Sequence, residues 1–159
     1  MEIPPVVHNT FVIERSYPAA PGRVFAAFAD PAKKRRWYAE NPNHEIEAFE
    51  MDFRVGGAER TRYRFGEKTP FPGAILASEG RLEDVAPDSR LVFSSSMTLG
   101  DHRISTTLVT IELRPTGDGG TTLTCTHQGV FYEGSDGPQM REGGWRALFE
   151  RLAAELARP

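Results

Sequence analysis

The sequence predicts an α+β fold in the order β–α–α–β6–α, a curved antiparallel sheet wrapped around one long C-terminal helix. Three observations carry this reading. From His44 to Val130 the apolar residues recur mainly every second position, in runs broken by short Gly-, Pro- and Asp-containing turns. At the C-terminus Trp145, Leu148, Phe149, Leu152 and Leu156 recur at steps of three and four. Near the start, Pro18, Pro21 and Pro31 divide the chain into short pieces too brief for a long rod.

Taken in order, the first element is a strand from Thr10 to Tyr17, where Phe11 and Ile13 alternate with Val12 and Glu14 and β-branched and aromatic residues favour a pleated backbone. Pro18 and Pro21-Gly22 end it. A short helix follows from Pro21 to Ala29, its first-turn proline costing no intrahelical hydrogen bond. Asp30 is placed to cap a second short helix that opens at Pro31 and carries Lys33-Lys34-Arg35-Arg36 towards Trp37 and Tyr38. His44 to Phe53 reads as a strand, Arg54 to Gly57 as a tight turn, and Ala58 to Phe65 as its partner. In that partner Arg60, Arg62 and Arg64 share one face, and Thr61, Tyr63 and Phe65 the other. After the loop Gly66 to Gly73, strands fit Ile75 to Val85, Arg90 to Leu99, Ile104 to Leu113 and Thr121 to Val130. The final helix runs from Gly137 or Pro138 to Ala157. Its apolar stripe needs cover, and the concave face of the sheet is the only surface large enough. We find no linker, repeat or domain boundary, so residues 1–159 read as one domain.

Composition narrows the function classes. The 159 residues are 39% hydrophobic, enough to build a core and too many for a disordered chain. Nineteen basic and 22 acidic side chains leave a net charge of −3, which gives no general attraction to nucleic acid. The single cysteine, Cys125, excludes an internal disulfide. Met1 to Asn9 contains two prolines and a glutamate and does not read as a signal peptide, and no window is apolar enough to span a membrane. We therefore expect a soluble cytoplasmic protein with no nucleic-acid partner and no stable membrane association.

A strongly curved sheet held around one helix leaves space between them. By alternation the strands place Phe49, Met51, Tyr63, Phe65, Leu91, Phe93, Leu123, Cys125 and His127 on the inner face. The helix adds Met140, Trp145 and Phe149. Of these, Phe49, Met51, Tyr63, Phe65, Phe93, Cys125, His127, Met140 and Trp145 form the candidate ligand-binding set. Aromatic and sulfur-containing side chains with a few polar handles suit a small apolar guest, whereas solid packing of the same residues is the plainer alternative.

The segments Ala19-Ala20-Pro21-Gly22-Arg23-Val24-Phe25, Asp30-Pro31 with Trp37, and Asp52-Phe53-Arg54-Val55-Gly56-Gly57 carry a family resemblance in their order and spacing. So do Gly80-Arg81-Leu82-Glu83-Asp84-Val85-Ala86-Pro87, Arg90-Leu91-Val92-Phe93, Thr110-Ile111-Glu112-Leu113, Gly120-Thr121-Thr122-Leu123-Thr124 and Gly144-Trp145. From Thr10 to Leu156 the chain resembles the SRPBCC superfamily of START- and birch-pollen-allergen-like helix-grip domains. Within it, the chain resembles the branch named for homology to the activator of the heat-shock-protein ATPase. The resemblance implies a deep apolar cavity and uses that range from lipid or metabolite binding to polyketide cyclisation and chaperone assistance. It brings no shared catalytic constellation, so no catalytic residue is carried over. A co-chaperone role is an alternative that the resemblance supports less, because eukaryotic activators add a separate N-terminal domain and this chain begins its first strand near Thr10.

Other chemistry is less well supported by the residues. Cys125 and His127 sit two apart on one strand with no orienting third group for a nucleophile–base pair. His8, His44, His102 and His127 are scattered, so no metal and no cofactor are expected. Glu45, Glu47, Glu50, Glu79 and Glu83 read as a solvent face paired with Arg60, Arg62, Arg64 and Arg81, although a carboxylate turned inward would be an acid–base candidate. The run Lys33 to Arg36 reads as a solvated basic cluster near a helix end. Gly143-Gly144 marks either close approach of helix to sheet or a hinge. The leading expectation is a binding protein for a small hydrophobic or aromatic molecule. A cyclase, dehydratase or hydrolase in the same cavity is the enzymatic alternative. A chaperone cofactor, or a homodimer through the outer sheet face, is the interaction alternative.

Overall fold

A computed structural model describes residues Met1–Pro159. The strands are β1 (Val7–Tyr17), β2 (His44–Met51), β3 (Ala58–Phe65), β4 (Ile75–Ala86), β5 (Arg90–Leu99), β6 (His102–Pro115) and β7 (Thr121–Phe131). The helices are α1 (Pro21–Ala29), α2 (Pro31–Lys34) and α3 (Pro138–Leu156). The strands form one antiparallel sheet in the order β1-β7-β6-β5-β4-β3-β2, so the chain returns to pair its last strand with its first. This is the predicted helix-grip fold. The strand ends move by a few residues, β1 opening at Val7 and β6 running to Pro115, because cross-strand pairing extends past the sequence alternation.

Local chemistry explains the segment between β1 and β2. Asp30 caps α2, its Oδ1 accepting from the backbone amides of Ala32 at 2.9 Å and Lys33 at 3.3 Å. The helix then widens into a π-helical turn over Arg35–Ala39, which the sequence reading did not anticipate. Trp37 is buried there, donating from Nε1 to Ala27 O at 2.8 Å and packing edge-on to Phe28.

Sheet curvature has identifiable sources. Register shifts fall between Ile46 and Ala48, Leu82 and Asp84, and Met97 and Thr98, and such irregularities bend a strand and increase its twist. The molecule then divides into two parts across α3. The C-terminal half of that helix, with Phe149, Leu152 and Leu156, packs against β1, β6, β7 and α1 in a continuous core that holds Ile13, Val24, Ile111 and Leu123. Tyr17 ties β1 to the helix by donating to Phe149 O at 3.0 Å. The N-terminal half of α3 faces β3, β4 and β5 without filling the gap.

Candidate functional site

That gap is a cavity of about 360 Å³, within the usual range for small-molecule sites. Its walls come from β2 to β7, the π-helical turn and the first turns of α3. Apolar contact is offered by Phe28, Leu82, Leu91, Phe93, Val109 and Trp145.

Four polar arrangements interrupt this surface. Lys34, 5% exposed, reaches from α2 to Glu59 on β3 at 2.5 Å. Its ammonium also lies 4.7 Å from the centre of the Tyr38 ring and 5.3 Å from that of Phe93, two cation–π contacts in a site shielded from water. Burial pushes the Tyr38 phenol well above its ordinary pKa. Near β2, His44 donates from Nε2 to Ala39 O at 2.6 Å and stacks on Tyr63 with ring centres 4.1 Å apart. Its pKa is lowered, burial being the main cause, so the ring is neutral at pH 7. Tyr63 is 9% exposed, and beside it the Thr61 hydroxyl pairs with Ser78 Oγ at 2.6 Å. Burial raises the Tyr63 phenol pKa, with the nearby Thr61 opposing the shift.

On the opposite wall His127 is 1% exposed, stacked on Phe11 at 4.3 Å and edge-on to Trp145 at 6.2 Å. Burial, aided by the Arg141 charge, lowers its pKa to about 4, and its Nδ1 has no partner. Arg141 itself forms a fork with Asp136, Nε to Oδ2 at 2.8 Å and Nη2 to Oδ1 at 2.8 Å, and donates to Ser105 Oγ at 3.0 Å. Burial works against the Asp136 carboxylate, but the Arg141 guanidinium outweighs it and leaves the pKa below the usual range.

Of the residues expected in the site, Met51, Tyr63, Phe93, His127, Met140 and Trp145 line the cavity. Met140 does so from the mouth, at 71% exposure. Phe49, Phe65 and Cys125 do not line it. Phe49 lies opposite Thr61 and so shares the inner face, yet it is only half-buried near the edge of the sheet. Phe65 ends β3 opposite His44. Cys125 is fully buried between Ile13 and Ile111 in the core beneath the other half of α3, where burial pushes its thiol up to about 12. A thiol held protonated beside a neutral imidazole is not an activated nucleophile.

Several expectations are corrected. Lys33 to Arg36 is not a uniformly solvated run: Lys34 turns into the cavity, and Arg36 holds Glu155 of α3 through contacts of 2.8 and 2.7 Å. Glu155 is buried in this contact. Gly143 and Gly144 do not mark close approach, because a Cβ at either position would meet nothing within 4 Å. The outer carboxylates behave as read, with Glu47 between Arg62 and Arg64 at 3.0 and 2.7 Å, and Glu50 and Glu79 exposed beside Arg60.

The sequence reading missed Lys34, Glu59, Tyr38, His44, Arg141 and Asp136. Two signals were present. Lys34 precedes Trp37 and Tyr38 by three and four residues, the spacing of one helix face. Glu59 continues the inward series Thr61, Tyr63 by one step of two.

The comparisons with known proteins agree with this geometry. The chain is 46% identical to the Mll3558 protein from Rhizobium loti, covering 95% of this chain and 99% of that one, with a TM-score of 0.83. An uncharacterised protein from Rhizobium leguminosarum is 32% identical over 99% of this chain and 100% of its own, with a TM-score of 0.90. The AHSA1 protein from Silicibacter pomeroyi, 24% identical over 94% of this chain and 98% of its own, shares the fold at a TM-score of 0.71. No curated protein matches the chain. The model of the family described as Activator of Hsp90 ATPase homolog 1-like protein matches residues 18–157, from the end of β1 through α3, and the chain belongs to that family and, through it, to the SRPBCC superfamily.

Proposed function

We propose that this protein binds a small hydrophobic or aromatic molecule between the sheet and the N-terminal half of α3. The observation that carries the reading is the unfilled space itself. Protein interiors are ordinarily packed to crystal-like density, yet about 360 Å³ remains open beneath α3. Rings from Tyr38, Phe93 and Trp145 offer flat apolar contact. Phe49, Phe65 and Cys125 fall outside the lining, so the proposed ligand contacts are Met51, Tyr63, Phe93, His127, Met140 and Trp145.

The test is titration with the neutral fluorescent probe N-phenyl-1-naphthylamine. We expect saturable 1:1 binding with a dissociation constant in the micromolar range. Gly144 lines the cavity and has open space where its Cβ would stand, so Gly144→Phe can plug the entrance without displacing backbone. That variant should keep its helical and sheet content and lose at least tenfold in probe affinity. Unsaturable binding, or equal affinity in the plugged variant, refutes the reading.

A further inference from the structure

We infer that the cavity takes an amphipathic monoanion, an apolar or aromatic body carrying one carboxylate, and that Arg151 of α3 receives the carboxylate. The inference rests on the binding function proposed above and names the chemical class of its ligand.

The charges of the lining balance at every residue but one. Lys34 faces Glu59 at 2.5 Å, and Arg141 grips Asp136 through two 2.8 Å contacts, so two ion pairs close within the lining itself. Asp52 and Arg81 find their partners just outside it, Arg54 at 2.7 Å and Glu83 at 3.6 Å. Arg151 is the remaining charged residue of the lining, and no carboxylate stands within ion-pair distance of it. Its Nη2 donates to the carbonyl of Glu40, at the end of the π-helical turn. That bond orients the side chain but brings no negative charge, and it occupies one of five N–H donors. A half-buried guanidinium with spare donors and one unmatched charge suits a carboxylate, whose two oxygens fit its fork. A cationic ligand would add a second unmatched positive charge beside it.

The groups around Arg151 support the same choice. Asn41 follows Glu40 in the chain and also lines the cavity. Its Oδ1 accepts from the Asn43 amide at 2.8 Å, which leaves its Nδ2 to donate to a ligand oxygen. The field of Arg151 reaches the stacked rings of His44 and Tyr63. It adds to burial in lowering the His44 pKa and, with exposed Arg35, opposes the rise that burial gives the Tyr63 phenol. Glu59 acts on Tyr63 in the opposite sense, but Lys34 holds that carboxylate.

Helix geometry sets the shape of the ligand. Arg151 is the last residue of α3 in the lining, and Trp145 stands six positions before it, about 9 Å along the helix axis. A ligand that meets both carries its carboxylate at one end of an elongated body, whose apolar part lies against Trp145 and Phe93. Because Arg151 is only half-buried, the carboxylate beside it keeps part of its hydration, which limits the cost of desolvation.

Three probes of one skeleton test this: 3-(2-naphthyl)propanoate, 3-(2-naphthyl)propanamide and 3-(2-naphthyl)propan-1-amine, which are anionic, neutral and cationic at pH 7. Each is titrated by displacement of N-phenyl-1-naphthylamine. We expect the wild-type protein to bind the propanoate at least tenfold more tightly than the amide or the amine. In Arg151→Met, which keeps a straight apolar stem, the propanoate-to-amide affinity ratio should fall at least tenfold. A purely structural role for Arg151 would weaken both probes alike and leave that ratio unchanged. A propanoate advantage of less than tenfold in wild type, a comparison that needs no variant, overturns the inference while saturable N-phenyl-1-naphthylamine binding upholds the binding function. A ratio that survives in Arg151→Met overturns it in the same way. Failure of every probe, N-phenyl-1-naphthylamine included, removes the binding function and the inference with it.

Discussion

His127 shows how one residue ties stability to the site. In the unfolded chain an imidazole titrates near 6.5, whereas burial brings His127 to about 4 in the fold. As pH falls below about 6.5 the unfolded chain takes up protons that the folded one refuses. The stabilisation is therefore complete above that value and is lost as pH falls towards 4. Between pH 7 and pH 5 this accounts for about 2 kcal/mol, which His127→Phe should remove from the pH dependence measured by urea unfolding. Equal losses in wild type and variant would contradict the burial argument. Tyr63 allows a cleaner separation. Its hydroxyl is buried and unpartnered, so Tyr63→Phe deletes a desolvated polar group without opening space. We expect the variant to match or exceed wild-type stability by about 1 kcal/mol in the absence of ligand, and a clear loss would show a partner for the hydroxyl within the protein.

At the scale of elements, the turn after α2 matters most. Lys34 at the end of α2 and Tyr38 in the π-helical turn both line the cavity while Trp37 enters the core, and π-helical turns recur at functional sites in other proteins. Lys34→Met leaves Glu59 without a counter-charge in a site largely closed to water and should cost about 3 kcal/mol. Adding Glu59→Gln should recover most of it. Thermal unfolding of the two variants decides the point, and equal destabilisation would mean that the pair contributes packing rather than charge balance. In α3, Gly143 is exposed and an added Cβ meets nothing, so Gly143→Ala should stabilise the protein by about 0.5–1 kcal/mol. If the glycine pair serves as a hinge for ligand entry, the same substitution slows probe association in stopped flow without altering affinity beyond twofold. Unchanged rates leave α3 as a rigid wall.

The whole molecule was legible in outline because its signals are periodic. Alternation in six runs, a three–four repeat from Trp145 to Leu156 and prolines at both short helices suffice to order every element and to predict the sheet around its helix. The site was legible only in part. Parity correctly turned Met51, Tyr63, Phe93 and His127 inward, but parity cannot say where along a strand the interior changes from solid to open. Cys125 and His127 share a face two residues apart, yet one lies in the packed half and the other at the cavity. That division depends on which stretch of α3 lies over each strand, a tertiary fact with no local signature. Charge was harder still. Lys34 looks like any member of a basic run until the widened helical turn and Glu59 on a strand 25 residues later supply its partner. The same tertiary fit that hid these groups creates the space on which the functional reading depends. A crystal structure of the protein grown with N-phenyl-1-naphthylamine tests that reading most directly. The account predicts one molecule inside the cavity, between the N-terminal half of α3 and the sheet, against Phe93 and Trp145. A ligand bound only on the outer face of the sheet, or an interior closed by the side chains of Phe93 and Trp145, would contradict it.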